Sequence, residues 1–307
     1  MSANGCPACQ RMTETMARQA RTACGVVDLD GRGLRPVRVH SNAVFLLPRA
    51  RIIVRVGRGA DAVGRAMRAV KVARWLVGEG FPSVVPVAGI EQPIVVAGDQ
   101  EDEAPVTFWE QADIGPAPEP ITGAELGRLL RWLHTLQPPF VLPVFRPLNR
   151  LIAAAGASSW LTASDRRWIH ARAVELQCGL DTVEFGLGTG LVHGDAQLGN
   201  VISARTVRLV ADWDNVATAP REWDLVPAAA EERFGGSPQL LTQLLAAYGA
   251  DPTTDPGWGI LRDIYELRSV AAHIRRAPFS SPHAREAALR IASLRAGDRA
   301  VRWSAVE

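Results

Sequence analysis

The chain has 307 residues, of which 47% are hydrophobic and 21% charged, and its formal net charge is +2. This balance is typical of a globular protein with one large or two medium domains, and the small net charge argues against nucleic acid as the principal partner. No apolar run approaches the roughly 20 residues that span a bilayer, and the first residues lack the apolar stretch of a secretory signal. We therefore expect a cytoplasmic protein that binds neither membranes nor nucleic acid.

A helix is predicted around residues 7–24, and a CxxC pair, Cys6 and Cys9, lies at its start. Such a pair can indicate zinc or redox chemistry. A structural zinc site needs further ligands, and only Cys24 and Cys178 remain to supply them. A loosely ordered terminus is the preferred interpretation.

Short runs rich in β-branched and aromatic residues follow. They are residues 37–39, 43–47, 51–56, 94–96 and 106–109. Turn residues such as Pro48 and Gly57 separate them, which favours an antiparallel sheet. One helix is predicted to interrupt this sheet, from Ala60 to Glu79, because apolar residues recur there at helical spacing.

The composition then changes. Residues 111–123 are rich in Pro and Gly and predict a linker. Beyond it, helices are predicted at residues 122–136 (with Thr122 as the cap), 163–176, 223–232, 238–248 and 258–275, and short strands at residues 190–193 and 207–212. The predicted organisation is a small β-rich lobe, residues 1–112, and a larger helical lobe, residues 113–307. Ligand sites often form where such lobes meet.

The sequence LVHGDAQLGN is an apolar strand that runs directly into His-Gly-Asp, which ends at Asp195, and Asn200 follows five positions later. A second hydrophobic strand leads to Asp212 within ADWD. These three polar side chains are predicted to lie at the ends of two adjacent short strands. Phosphoryl transfer requires this set, because a carboxylate accepts the proton of the attacking hydroxyl and oxygen ligands hold Mg²⁺ against the nucleotide phosphates.

The pattern H-G-D-x-x-x-x-N from His193 to Asn200, with D-W-D beginning at Asp212, resembles the aminoglycoside phosphotransferase and choline kinase family, relatives of the protein kinases. The resemblance runs from about Val37 to the C-terminal helices. It implies an α+β, protein-kinase-like fold of two lobes, a small antiparallel β-rich N-terminal lobe and a larger, mainly helical C-terminal lobe. It also implies that Asp195 is the catalytic base and that Asn200 and Asp212 are the Mg²⁺ ligands.

Asp224, in EWDL, matches a family Asp that follows the metal loop, and the resemblance implies that it braces that loop. His193 is expected to hold the catalytic loop by hydrogen bonds. Taken singly, Asp195 and its partners could be turn or cap residues of a purely structural loop. Spacing, strand context and the flanking motif agree, so the functional interpretation is favoured.

Arg55, in RIIVRV, lies where kinases carry the strand-borne Lys that contacts the nucleotide phosphates, and an Arg can serve there as a bidentate cation. The alternative is an exposed strand arginine. The kinase fold usually pairs this cation with a Glu on the following helix, but Ala69 falls at the expected position. We therefore expect Arg55 to find another anion, such as Asp212 or the nucleotide.

The Gly-rich phosphate loop of the kinases is absent, and residues 40–47 occupy its place. Ser41 and Asn42 could offer hydroxyl, amide and backbone N–H groups to phosphate oxygens, and a simple hairpin turn is the alternative. The GLGTG at residues 186–190 precedes a strand and does not open a helix, so it fails as a dinucleotide-binding fingerprint.

Residues 106–113 are the expected hinge between the lobes. Their backbone groups around Glu110 and Ala112 should bind the purine edge, whereas Trp109 is predicted to belong to the core.

Together these features predict a Mg²⁺-dependent kinase that transfers the γ-phosphoryl group of ATP or GTP to a hydroxyl of a small molecule. An antibiotic, whether an aminoglycoside, a nucleoside or another sugar-containing compound, is the favoured acceptor. The missing helix Glu and Gly-rich loop leave one alternative from another class, a catalytically weak, pseudokinase-like module that binds nucleotide or ligand. A protein kinase is disfavoured, because little chain separates Asp212 from EWDL.

Two features bear on the charge of the acceptor and point in opposite directions. Glu231 and Glu232 could attract a polycation, although solvated helix charges are the plainer interpretation. Residues 260–307 carry nine Arg and five acidic residues, which favours a neutral or anionic acceptor. Both possibilities stay open at this point.

Overall fold

The computed structural model of the protein describes residues 7–39, 42–59, 61–97, 103–115 and 119–306, with side chains from residue 10 onward. The chain divides into two compact units. The first comprises Met1–Pro120 and Gly199–Val216, and the second comprises Ile121–Leu198 and Ala217–Glu307. The predicted lobes, residues 1–112 and 113–307, stay a prediction.

The first unit contains an antiparallel sheet. Its strands are β1 (Arg35–Val39), β2 (Ala43–Leu47), β3 (Ile52–Val56), β4 (Ile94–Ala97) and β5 (Glu103–Glu110), in the order β1-β2-β3-β5-β4. Buried and half-buried positions alternate along β2 and β3, as in a sheet that covers a core with one face. The strands predicted in this part of the chain are therefore confirmed, with ends that differ by a few residues.

Two helices, α1 (Pro7–Val26) and α2 (Ala62–Gly78), accompany this sheet. Met16, Ala20 and Ala23 recur at helical spacing on α1 and are buried in one cluster with the sheet residues Phe45 and Phe108. Removing a large side chain such as that of Met16, Phe45 or Phe108 from water contributes about 1.5–3 kcal/mol, so this cluster is a main source of stability for the unit.

A short hairpin of β7 (Val201–Ser203) and β8 (Arg208–Val210) also belongs to the first unit. Val210 donates its N–H to the Pro82 carbonyl at 2.8 Å, and its own carbonyl accepts the N–H of Val84 at 3.0 Å. Beyond the hairpin, the buried Trp213 donates its indole N–H to Ser83 Oγ at 2.9 Å. These contacts fix the segment that carries two of the predicted site residues.

The second unit is mainly helical. Its helices are α3 (Gly123–Leu133), α4 (Asn149–Ala157), α5 (Ala163–Thr182), α6 (Val226–Ala230), α7 (Gln239–Tyr248), α8 (Pro256–Arg268), α9 (Val270–Arg276) and α10 (Ser281–Ala296). Thr122 caps α3 as predicted, and Glu125 completes a reciprocal capping box. Helices α3 and α7 pack at close range because Gly127 has no side chain to meet the Leu244 carbonyl.

Three features of the second unit differ from the sequence prediction. The single helix predicted at residues 258–275 is broken at Ser269 into α8 and α9, and the helix predicted at residues 223–232 is shortened to α6, with a 3₁₀ turn on either side. Neither α4 nor α10 was predicted. No helix among the described residues is long and apolar enough to cross a bilayer.

The two strands that precede Asp195 and Asp212 are not paired with each other, which corrects the prediction that they are adjacent. The first, β6 (Thr189–Val192), pairs antiparallel with β9 (Ala217–Pro220) in the second unit. The second, β8, pairs with β7. The partners β7 and β9 are only three and four residues long and contain Ser, Thr and Pro, so they lack the alternation that predicts a strand.

Candidate active site

The His-Gly-Asp sequence forms a tight turn directly after β6. Gly194 has φ +82°, a left-handed conformation that glycine adopts without steric cost. Buried His193 accepts the backbone N–H of Asp195 on its Nδ1 at 3.3 Å, so it holds the loop as predicted. The turn leaves the Asp195 side chain 21% exposed and able to meet a ligand.

Asp224 is fully buried and holds the backbone of this turn by hydrogen bonds. Its carboxylate accepts the backbone N–H groups of His193 at 2.6 Å and Gly194 at 2.8 Å. His134 Nε2 lies 3.1 Å from the same carboxylate and must carry the hydrogen, because a carboxylate only accepts; the Tyr248 hydroxyl lies 2.8 Å from His134 Nδ1. Asp224 was predicted to brace the metal loop, and the structure corrects this: it braces the His-Gly-Asp turn.

Two further side chains bind the turn through the carbonyl group of Gly194. The Trp223 indole N–H and Arg268 Nη1 both donate to the Gly194 carbonyl, each at 3.2 Å. Arg268 Nη2 also donates to Asp195 Oδ1 at 2.9 Å. No local sequence signal links Arg268 to a motif 73 residues earlier, and sequence reasoning missed it.

Tyr265 lies close enough to the turn to be affected by the charges of Asp195 and Arg268, and also by that of Glu231. Burial, followed by the charge of Asp195, raises the pKa of Tyr265 to about 12, so its hydroxyl keeps its proton at neutral pH. Burial raises the pKa of Glu231. Glu232 lies 3.4 Å from Arg262 in an ion pair.

The two predicted magnesium ligands flank the β7–β8 hairpin of the first unit. The carbonyl of Asn200 accepts the N–H of Ala211 at 2.8 Å, so Asn200 and Asp212 lie at the open end of this hairpin, Asn200 before β7 and Asp212 after β8. Asp212 has φ +67°, a left-handed conformation that Asp tolerates better than most residues.

An amide oxygen and a carboxylate are oxygen donors of the kind that Mg²⁺ prefers. Among the side chains that the structure describes, no group of three or more His, Cys, Asp and Glu could hold a metal ion. A small protein ligand set fits Mg²⁺, which usually completes its coordination with waters and substrate phosphates. Asn200 and Asp212 therefore fit a magnesium ion that binds together with a nucleotide.

Arg55 extends from β3 into a partly buried ion-pair cluster. Its Nη1 and Nη2 donate to the two carboxylate oxygens of Asp214 at 2.9 and 2.6 Å, and Nη2 also lies 3.1 Å from Asp212. The Arg55 side chain is only 14% exposed, which excludes the alternative of an exposed strand arginine. The expected anion Asp212 is confirmed, and the structure adds Asp214 as the stronger partner.

Neighbouring groups stabilise the charged form of the Asp214 carboxyl. Burial raises the pKa of its carboxyl, but the charge and hydrogen bonds of Arg55 outweigh burial and hold this pKa below its ordinary value, with help from Arg65 and Asn42. Asn42 Nδ2 lies 3.3 Å from Asp214. Helix α2 supplies no acid at Ala69, which is buried in the core. The signal for Asp214 was present in the sequence, as the last residue of D-W-D.

Two of the remaining predicted nucleotide contacts, Glu110 and Ala112, lie at the end of β5 and just beyond it. Ser41 falls outside the described residues, as do Cys6 and the side chain of Cys9. Glu110 ends β5 on the surface, and its N–H is bonded to the Val85 carbonyl at 2.8 Å. Ala112 follows in an irregular, half-buried stretch. Trp109 is buried, which confirms its prediction as a core residue.

Comparisons with known proteins agree with this arrangement. The model of the phosphotransferase enzyme family (APH) matches residues 33–264. The chain is similar to an amicoumacin kinase (13% identity, TM-score 0.66, covering 88% of this chain and 90% of that one) and to a microcompartment-associated aminopropanol kinase (20%, 0.66, 95% and 100%). A choline/ethanolamine kinase family protein from Mesorhizobium loti shows 17% identity and a TM-score of 0.61, covering 92% and 94%. No match was found among curated proteins.

These structural similarities extend over most of the chain at low sequence identity, and they show a shared kinase-like fold. The predicted α+β class, with an antiparallel N-terminal sheet and a helical C-terminal region, is confirmed. The family match covers more than half of the sequence and includes both the His-Gly-Asp turn and D-W-D. The chain belongs to the phosphotransferase enzyme family.

Proposed function

We propose that the protein is a Mg²⁺-dependent kinase that transfers the γ-phosphoryl group of ATP or GTP to a hydroxyl of a small molecule, with an antibiotic as the favoured acceptor. The observation that carries this proposal is Asp195, a partly exposed carboxylate on a turn that buried Asp224 braces. A carboxylate so placed is suited to accept a proton from a bound hydroxyl.

Asp195 accepts the proton of the acceptor hydroxyl in this proposal. The hydroxyl oxygen forms a bond to the γ-phosphorus, the bond from that phosphorus to the β–γ bridging oxygen breaks, and the nucleoside diphosphate leaves. Mg²⁺, held by Asn200 and Asp212, would neutralise charge on the phosphate oxygens.

On the nucleotide side, Arg55 supplies a permanent cation for the phosphates, and Asp214 fixes the plane of its guanidinium by two hydrogen bonds. Asn42 and Ser41 supply further polar groups to the phosphates. The N–H of Glu110 is already bonded to the Val85 carbonyl, so the backbone of Ala112 is the main contact for the purine edge in this proposal.

The charge of the acceptor can be narrowed from the ion pairs of the C-terminal helices. Five of the nine arginines of residues 260–307 are paired with carboxylates: these are Arg262, Arg268, Arg290, Arg295 and Arg299. This pairing weakens the argument for an anionic acceptor. Burial penalises the charged form of half-buried Glu231 and so raises its pKa. A bound amine would offset this penalty, which favours an acceptor that carries an amine.

Names of the structural neighbours supply a rational acceptor panel. The amicoumacin kinase was solved with AMP-PNP and its antibiotic, and a spectinomycin phosphotransferase (15% identity, TM-score 0.53) with ADP and spectinomycin. We would therefore incubate the protein and Mg²⁺ with ATP or GTP and amicoumacin, spectinomycin, aminoglycosides, choline, ethanolamine, aminopropanol or nucleosides. A mass gain of one phosphate on an acceptor supports the proposal.

The residue test compares the wild-type protein with Asp195→Asn. We expect kcat for transfer to fall about 10²–10⁴-fold, because a positioned general base contributes that much, while nucleotide affinity changes little. A variant with full transfer activity would rule out the assignment of Asp195.

The alternative, a nucleotide- or ligand-binding module without transfer, was motivated by the missing acid on α2 and by the missing Gly-rich loop. Because Arg55 has an acid partner in Asp214, the absence of an acid at Ala69 no longer argues for lost activity. Stabilisation by nucleotide without hydrolysis, and without transfer to any acceptor of the panel, would favour the module.

A further inference from the structure

The Asp195 carboxylate and the carbonyl of the preceding residue, Gly194, are held by one guanidinium. Arg268 donates from Nη2 to Asp195 Oδ1 at 2.9 Å and from Nη1 to the Gly194 carbonyl at 3.2 Å. The two contacts use both terminal nitrogens of one planar group, so they fix the carboxylate relative to its own backbone. Arg268 therefore fixes the orientation of the Asp195 carboxylate and also supplies its opposite charge.

Arg268 is itself firmly placed. It is the last residue of α8, and its guanidinium carbon lies 5.1 Å from the Trp223 ring and 5.2 Å from the Tyr265 ring. Both distances are within the range of a favourable cation–π contact. Its side chain is only 22% exposed. A long, flexible side chain that is restrained in this way loses little further entropy when it orients a partner.

The rest of the turn is already held without Arg268. Asp224 accepts the N–H groups of His193 and Gly194, and Trp223 donates to the Gly194 carbonyl. The backbone therefore keeps these supports when Arg268 is changed. The contact that Arg268 adds is the one to the Asp195 carboxylate, the group that would take the acceptor proton.

We propose that Arg268 is a positioning residue for phosphoryl transfer, which orients the Asp195 carboxylate toward the acceptor hydroxyl. This inference rests on the proposed function, in which Asp195 is the base. Misplacing a catalytic group by about 1 Å can cost about 100-fold in rate. Arg268 thus acts on kcat through Asp195 and does not react itself.

Two variants separate its charge from its geometry. Arg268→Gln removes the charge, whereas Arg268→Lys keeps the charge but loses the planar fork that serves two acceptors at once. The chain offers a matched control in Arg295, which pairs with Asp165 at 2.8 Å and lies 5.2 Å from the Trp168 ring, and which has no contact with the turn among the described residues. Arg295→Gln therefore removes the same kinds of contact elsewhere.

The decisive measurement is a double-mutant cycle with Asp195→Asn. Transfer is followed with the acceptor of the panel that turns over fastest, and hydrolysis of Mg·ATP or Mg·GTP serves if water is the best acceptor. We expect Arg268→Gln to lower kcat about 10–100-fold with little change in the KM for nucleotide, Arg268→Lys to recover part of this, and Arg295→Gln to have no effect.

In the Asp195→Asn background, Arg268→Gln should lower the remaining rate by less than about threefold, because the carboxylate it orients is gone. An equal loss in both backgrounds would overturn the positioning role. Full activity of Asp195→Asn would instead sink the proposed function, whereas an inactive Asp195→Asn with an unaffected Arg268→Gln would refute the positioning role alone.

A second readout requires no turnover. Amide hydrogen exchange in the peptide that covers residues 191–197 should stay unchanged in both Arg268→Gln and Arg295→Gln, because Asp224 and Trp223 keep the backbone of the turn in place. Faster exchange in Arg268→Gln would show that Arg268 holds the backbone of the turn and not only the Asp195 carboxylate, and this result also overturns the proposal.

Discussion

Arg55 and Asp214 form a bidentate ion pair, in which Nη1 and Nη2 of the guanidinium lie 2.9 and 2.6 Å from the two carboxylate oxygens. The side chains are 14% and 11% exposed. The acid partner of the strand cation thus comes from the D-W-D segment. Since Asp212 of the same segment also contacts Arg55, one guanidinium links the strand to the predicted metal ligand.

We expect Asp214→Asn to lower the free energy of unfolding by about 2–3 kcal/mol. This is less than the roughly 3–5 kcal/mol typical when a buried charge loses its partner, because Asp212 still contacts Arg55. Nucleotide affinity should fall at least about tenfold, as the guanidinium is no longer fixed in plane. Urea denaturation and calorimetric titration with nucleotide measure the two effects.

The matched control for this change is Asp30→Asn. Asp30 pairs with Arg32 on the surface of the same unit, with side chains that are largely exposed, and such pairs contribute little. It should leave unfolding and nucleotide affinity unchanged. If Asp214→Asn behaved like Asp30→Asn, the buried pair would have no role in holding Arg55.

Asp224→Asn should destabilise the protein by about 3 kcal/mol or more and lower transfer. The amide that replaces the carboxylate is a poorer acceptor for the N–H groups of His193 and Gly194, and the His134 contact loses its charge. Chemical denaturation and kcat test this expectation. A stable Asp224→Asn with normal kcat would show that the turn does not depend on its brace.

Acidification should weaken the packing of α9 on α10 through two buried histidines. His273 Nδ1 lies 3.0 Å from His283 Nδ1, which leaves room for one hydrogen between them. Burial, then the charges of Arg290, His283 and Arg276, lowers the pKa of His273 to about 4; burial, then Arg276 and Arg290, lowers that of His283.

The unfolded chain takes up a proton on each histidine near pH 6.5, whereas folded His273 does so only near pH 4. Stability is therefore lost as the pH falls through this window, by on the order of 3 kcal/mol for His273 alone. Urea unfolding at about pH 7.5 and about pH 5 measures the loss, which should shrink in His273→Leu. Equal pH dependence of the two proteins would contradict this account.

Gly127→Ala should destabilise the contact of α3 with α7. A Cβ at this position would collide with the Leu244 carbonyl, which belongs to the backbone and cannot move aside cheaply. We expect a loss of about 1–3 kcal/mol, seen as a lower melting temperature. Gly156→Ala in α4 is the control, because nothing lies near its Cβ, and it should be neutral or slightly stabilising.

How far the fold can be predicted from sequence differs between helices for a physical reason. Helix α3 was predicted because its cap, Thr122, and its apolar stripe are local signals. Helix α10 was missed because it buries His283, Glu286 and Arg290, which read as surface residues. Arg290 is satisfied by Glu286 and by the Ser304 carbonyl, so its burial depends on tertiary contacts.

The residues of the site also differ in how far local sequence predicts them. His-Gly-Asp and D-W-D are each a run of consecutive residues, so Asp195 and Asp212 could be found from the sequence pattern and its spacing. The brace of the turn was assigned to the wrong loop, because nothing local shows that Asp224 bonds the N–H of Gly194. Arg268 was missed for the same reason, since only the folded chain brings it to Asp195.

The central claim is tested most directly by mass spectrometry of the acceptor after incubation with Mg²⁺ and ATP or GTP, in parallel for the wild-type protein and Asp195→Asn at matched nucleotide occupancy. The account predicts that one acceptor of the panel gains a single phosphate with the wild-type protein, and that this product falls at least about 100-fold with Asp195→Asn. Equal product from both proteins, or none from the wild-type protein with any acceptor, would contradict it.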